Sequence, residues 1–75
     1  MKTRSIRLSL YIPTEEFRRY YTRPGSNVIA TADDGRRVVF PASALQRHLL
    51  HDGVNGRFRL IFDENYRFVA MEREA

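Results

Sequence analysis

Apolar and polar residues alternate cleanly through "SIRLSLYI". Ile6, Leu8, Leu10 and Ile12 point one way, and Arg7, Ser9 and Tyr11 the other. A period of two predicts a half-buried strand. Pro13 breaks it. Thr14 is the expected N-cap of a short helix, with Glu15 and Glu16 in the first turn and Phe17, Tyr20 and Tyr21 on one face. "NVIATADDGRRVVF" reads as a hairpin turning at Asp34-Gly35. Its apolar residues Val28, Ile29, Val38, Val39 and Phe40 fall on both faces, which predicts strands covered on both sides for part of their length.

"PASALQRHLL" predicts a second helix opening on Pro41, with Leu45 and Leu49 stacked on one face and Gly53 as a left-handed cap followed by Val54. "RFRLIF" and "YRFVAMER" predict a closing hairpin across "DEN". With that three-residue loop, Phe68 and Ala70 share a face with Leu60 and Phe62. A two-residue loop would put Val69 and Met71 there instead, because a one-residue slip flips every side chain. The loop that gathers the aromatics is the expected one.

The expected fold is therefore α+β, in the order β-α-β-β-α-β-β, as a single domain over residues 1–75. The sheet is mainly antiparallel and could curl into a partly closed barrel to hide its edges. The expected core is Ile6, Leu8, Leu10, Phe17, Val28, Phe40, Leu45, Leu49, Phe58, Leu60 and Phe62.

Only 75 residues are present, so the core is small and stability modest. There is no Cys, which removes disulfide and thiolate chemistry. No apolar run is long enough for a signal peptide or a membrane span, and the expected location is the cytoplasm. The net charge is +4, and all the cations but Lys2 are Arg. Arg favours phosphate and carboxylate partners, but codon bias would give the same composition.

The run "LYIPTEEFRRYY", then "FPASALQRHL", "GVNGRFRL" and "DENYRF", resembles the bacterial DUF2835 family, a domain of unknown function. The similarity covers nearly the whole chain. It implies a small stand-alone bacterial protein and carries over no catalytic or binding residue.

Chemistry is sparse. His48, His51 and Asp52 lie close in sequence, but zinc sites need three or four ligands in fixed geometry, and no metal or other cofactor is expected. Ser43 and His48 are five apart, which on an α-helix points them in different directions. Glu15-Glu16, Asp33-Asp34 and Asp63-Glu64 fall at a helix start or in turns, where acids serve structure. Gly53-x-x-Gly56 precedes a strand, whereas a phosphate loop needs a helix behind it.

The expected function is therefore a non-enzymatic interaction module. It works through protein interaction or self-association, using an apolar strand or the exposed parts of Tyr11, Tyr20 and Tyr21. The alternative is single-stranded nucleic-acid binding. Arg57, Arg59, Arg67 and Arg73 would share the sheet face opposite the aromatic core and form its basic surface. The competing reading of that face is an ordinary solvated one, partly neutralised by Glu72 and Glu74.

Overall fold

The computed structural model describes residues 2–21 and 25–74, the side chains of Tyr20 and Tyr21 excepted. Seven elements follow in order: β1 (Thr3–Ile12), α1 (Thr14–Tyr21), β2 (Asn27–Thr31), β3 (Arg37–Pro41), a 3₁₀ helix (Ala42–His48), β4 (Val54–Asp63) and β5 (Phe68–Arg73). The expected order is present. The strands form two separate antiparallel sheets, one ordered β1-β4-β5 and one made of β2 and β3 alone. No barrel closes. The one main-chain bond from the hairpin turn to the larger sheet is Asp33 N–H to the Arg7 carbonyl, 2.9 Å, among the described residues. The hairpin covers the sheet with side chains rather than extending its ladder.

β4 is the central strand and carries the core. Phe58 and Leu60 are fully buried, with Phe62 beside them; Leu8 and Ile6 stand opposite the first two on β1. From the second layer, Val28, Val38, Phe40, Ala42, Leu45 and Phe17 close over them. Every expected core residue is buried except Leu49, which is 36% exposed.

The period of the second helix explains that exception. Its closing bond runs three residues back, from Leu49 N–H to the Gln46 carbonyl (3.3 Å). A 3₁₀ helix has three residues per turn, so Ala42, Leu45 and His48 lie on one face. His48 takes the inward place that an α-helix would give Leu49. Its ring meets Phe58 edge-on at 5.1 Å, and its Nε2 lies 3.0 Å from the Met71 carbonyl oxygen.

Three more expectations need correcting. Thr14 lies inside α1 and does not cap it; its hydroxyl reaches the His51 carbonyl at 3.5 Å. Gly53 is not a helix cap. It exchanges two main-chain bonds with Leu50 and passes so close to β1 that a Cβ would sit 2.1 Å from the Ile12 carbonyl oxygen, at φ +117°. The β2–β3 hairpin is covered on one side only. Val28, Val38 and Phe40 are buried, while Ile29 and Val39 are 63% and 49% exposed.

The last hairpin follows neither expected register throughout. Phe62 pairs with Phe68, and the two rings meet edge-on at 6.0 Å. The register then shifts: Ile61 pairs with Ala70 and Leu60 with Met71. Val69 is the extra residue of a β-bulge, and the parity changes across it. Phe68 and Met71 therefore both face the core, while Ala70 does not stand with Leu60.

Leu60→Ala is expected to lower unfolding free energy by about 2–5 kcal/mol, a large part of what so small a domain has, as read by urea denaturation. A loss within error of zero would place the core elsewhere. Gly53→Ala is expected to cost more than about 2 kcal/mol, since it adds both a main-chain clash and a strained φ. An unchanged denaturation midpoint would contradict the close crossing with β1.

Candidate functional site

The bulge decides where the four candidate arginines go. Arg57 and Arg59 stand on the outer face of β4, as expected. Arg73 does not join them. It pairs with Phe58, and its guanidinium lies over that ring, 4.8 Å from the centroid. Its Nη1 donates to the Asn55 carbonyl at 2.8 Å and its Nη2 to the His48 carbonyl at 3.4 Å. Arg67 lies in the turn before β5, where its N–H donates to the Asp63 carboxylate at 2.9 Å. The structure thus groups only two of the four on one face.

Carboxylates fill the places on that face. Glu72, displaced outward by the bulge, bonds Arg59. Glu74 Oε1 lies 3.4 Å from Arg7 Nε. Asp33 reaches round the edge of β1 from the hairpin turn and bonds Arg57, whose Nη1 also donates to Ser9 Oγ at 3.1 Å. Arg7 and Arg59 are direct cross-strand neighbours, an unfavourable pair in isolation. Glu74 and Glu72 relieve it by pairing with Arg7 and Arg59. Hydrogen bonding to Asp33 holds the Arg57 guanidinium above its ordinary pKa, and Glu72 does the same for Arg59. The face is a ladder of ion pairs rather than a positive surface.

The other candidates do not converge. Ser43 is exposed and lines a groove of about 360 Å³ with Arg47 and Val69, while the His48 ring is turned to Phe58 and Met71. His51 is exposed in the following turn. Among the described residues no group of three or more His, Cys, Asp or Glu is placed to hold a metal, and no helix is long and apolar enough to cross a membrane. Tyr11 is well exposed. The expected role of Tyr20 and Tyr21 lies outside the described side chains.

The hairpin offers different surfaces. Ile29 and Val39 are directly opposite each other on its outer side. Its main-chain bonds fall at fixed rungs: Ala32 N–H to the Arg36 carbonyl (2.8 Å) and Ala42 N–H to the Ser26 carbonyl (2.9 Å). Antiparallel bonding alternates, so the rungs between these are Val28–Phe40 and Ala30–Val38. The main-chain groups of Asn27, Ile29 and Thr31 on β2, and of Arg37 and Val39 on β3, therefore point away from the partner strand. No further strand pairs with either among the described residues.

Beside β3 lies a cleft of about 280 Å³, with Val39 on one wall and Ile6, Phe62 and Tyr66 on the other. Arg36 and Arg37 form its rim. Asp34 accepts both the Arg36 N–H (3.0 Å) and its Nε (2.7 Å). The main-chain bond is the chief reason the Asp34 carboxyl lies below its ordinary pKa. Tyr66 is the one described non-glycine residue at positive φ, +61°, a conformation costing roughly 1–2 kcal/mol. Bonds to Asp63 hold its turn: Tyr66 N–H to the carbonyl (3.0 Å), and Asn65 and Arg67 N–H to the carboxylate (2.8 and 2.9 Å). The Arg4 guanidinium lies 4.7 Å over the Tyr66 ring.

Sequence reasoning missed Ile29, Val39 and this cleft. The available signal was the alternation inside "NVIAT" and "RVVF", where each strand must turn one large β-branched residue outward.

Comparison with curated proteins and with solved structures returned no match. One family profile matches residues 4–74, nearly the whole chain. The chain therefore belongs to the family described as protein of unknown function, DUF2835.

Proposed function

We propose that this chain is a non-enzymatic interaction module whose working surface is the β2–β3 hairpin, and that the edge of β2 pairs it with a second copy of itself. The observation that carries this reading is the exposed, directly opposed pair Ile29 and Val39 on a sheet of only two strands. An exposed strand edge is a template for another strand, and proteins usually guard it with charge. The edge of β2 carries Asn27, Ile29 and Thr31, none of them charged. A two-fold interface brings the same patch of both subunits together. Antiparallel pairing of β2 with its copy places Ile29 against Ile29 and Asn27 against Thr31, with no like charges opposed. The same pairing through β3, about Val39, would set Arg37 against Pro41, which has no N–H to give to the new ladder.

Nucleic-acid binding through Arg57, Arg59, Arg67 and Arg73 has less support, because carboxylates of Asp33, Glu72 and Glu74 stand among the outward arginines. A cytoplasmic location remains the expectation for such a module.

Sedimentation equilibrium tests the reading. The protein is expected to show a monomer–dimer equilibrium by about 1 mM, a concentration at which even a millimolar complex is substantially formed. Ile29→Lys is expected to leave it monomeric and folded, since that side chain is exposed. A monomer at every concentration, or a dimer indifferent to Ile29→Lys, would refute the β2 interface.

A further inference from the structure

The cations of this protein are not distributed evenly between paired and unpaired. On the outer face of the large sheet Arg7, Arg57 and Arg59 each meet a carboxylate. At the cleft beside β3 the pattern changes. Arg37 has no acidic partner among the described residues, and Arg4 rests on the Tyr66 ring instead of on an acid. Of the two arginines lining the hollow, Arg36 is paired with Asp34 and Arg37 is not, and Arg4 lies over the ring of Tyr66, which lines it together with the buried Ile6 and Phe62.

The same hollow runs along an open strand edge. The outward main-chain groups of Arg37 and Val39 are two residues apart, the spacing at which one neighbouring strand forms successive rungs. Main-chain bonds at such an edge supply affinity, and pockets for alternate side chains supply specificity. Here the pocket is apolar and the flanking charge positive.

We propose that the edge of β3 receives an extended acidic segment of another protein, which adds a strand to the hairpin, seats one apolar side chain between Val39 and Tyr66, and presents carboxylates to Arg37 and Arg4. This rests on the reading of the hairpin as the interaction surface, and adds a second edge with a different partner. A second copy does not suit this edge. The acids Asp33, Asp34, Glu72 and Glu74 of the chain itself are already paired with arginines, and β3 set antiparallel against β3 about Val39 opposes Arg37 with Pro41, which offers it no carboxylate. The turn that holds Tyr66 at positive φ fixes the far wall, so little ordering is left for the binding step.

The test is an amide NMR titration of the whole chain with a blocked heptapeptide of alternating glutamate and valine. A peptide with lysine in place of glutamate is the control. The expected result is shifts concentrated at Arg37, Val39 and Tyr66, slower solvent exchange of the Arg37 and Val39 amides, and weakening by salt. The lysine peptide and Arg37→Glu are each expected to bind about tenfold more weakly or worse. Val39→Pro removes an edge N–H at a site where proline is tolerated, and is expected to abolish binding. If that variant does not fold, Arg37→Glu decides, since it alters only an exposed charge. Equal binding of the lysine peptide, or shifts confined to other surfaces, would overturn the inference. So would an oligouridylate that displaces the peptide from these amides at lower concentration, which would assign the edge to nucleic acid. The titration is repeated with the Ile29→Lys protein. Binding there upholds the β3 site even if self-association through β2 fails. Self-association without any shift at Arg37, Val39 or Tyr66 overturns the β3 site alone.

Discussion

One extra residue in β5 sets the character of the large sheet. Phe68 must face inward, because it packs against both Phe62 and Phe40. Met71 must also face inward, opposite Leu60. Three steps separate them, and a regular strand cannot turn both to one side. The bulge at Val69 resolves the conflict between two core contacts. It also fixes everything beyond it: Glu72 and Glu74 go to the outer face, and Arg73 goes to the inner one, over Phe58. A regular strand would have placed Arg73 outside among Arg7, Arg57 and Arg59. The difference between a basic surface and a ladder of ion pairs is therefore one inserted residue, selected by packing in the core rather than by charge.

The large sheet and the hairpin consequently differ. On the large sheet the cations are satisfied within the chain. These exposed pairs add little to stability, but they leave the face close to neutral and without a free cation among Arg7, Arg57 and Arg59. The hairpin is covered on one side only among the described residues. It keeps an exposed apolar pair, two strand edges and a cleft at which Arg36 is paired with Asp34 and Arg37 has no acid among the described residues. These features support an interaction role more than any catalytic grouping does.

Much of this fold was legible in the sequence. Alternation in "SIRLSLYI" and "RFRLIF" gives β1 and β4 with the correct faces, and Asp34-Gly35 marks the turn between β2 and β3. What escaped depends on contacts that no local pattern records. The 3₁₀ winding that turns His48 inward in place of Leu49 sets its ring against Phe58 and the Met71 carbonyl. The demand for glycine at position 53 comes from Ile12, far away in sequence. The bulge arises only when Phe68 and Met71 compete for one face, and either regular register looks acceptable from the residues alone. The arginine face was misjudged for that reason: Arg57 and Arg59 were legible from their own strand, whereas Arg73 depended on parity across the bulge.

The bulge can be read directly by nuclear Overhauser effects and ring-current shifts in the unmodified protein. Cross-strand contacts should join Phe62 to Phe68 and Leu60 to Met71, with Val69 lacking an opposite partner. The Arg73 side-chain protons should move upfield under the Phe58 ring. Arg73 protons at solvent-exposed positions, together with Ala70 rather than Met71 against Leu60, would show a regular strand. They would return Arg73 to the outer face and contradict the account.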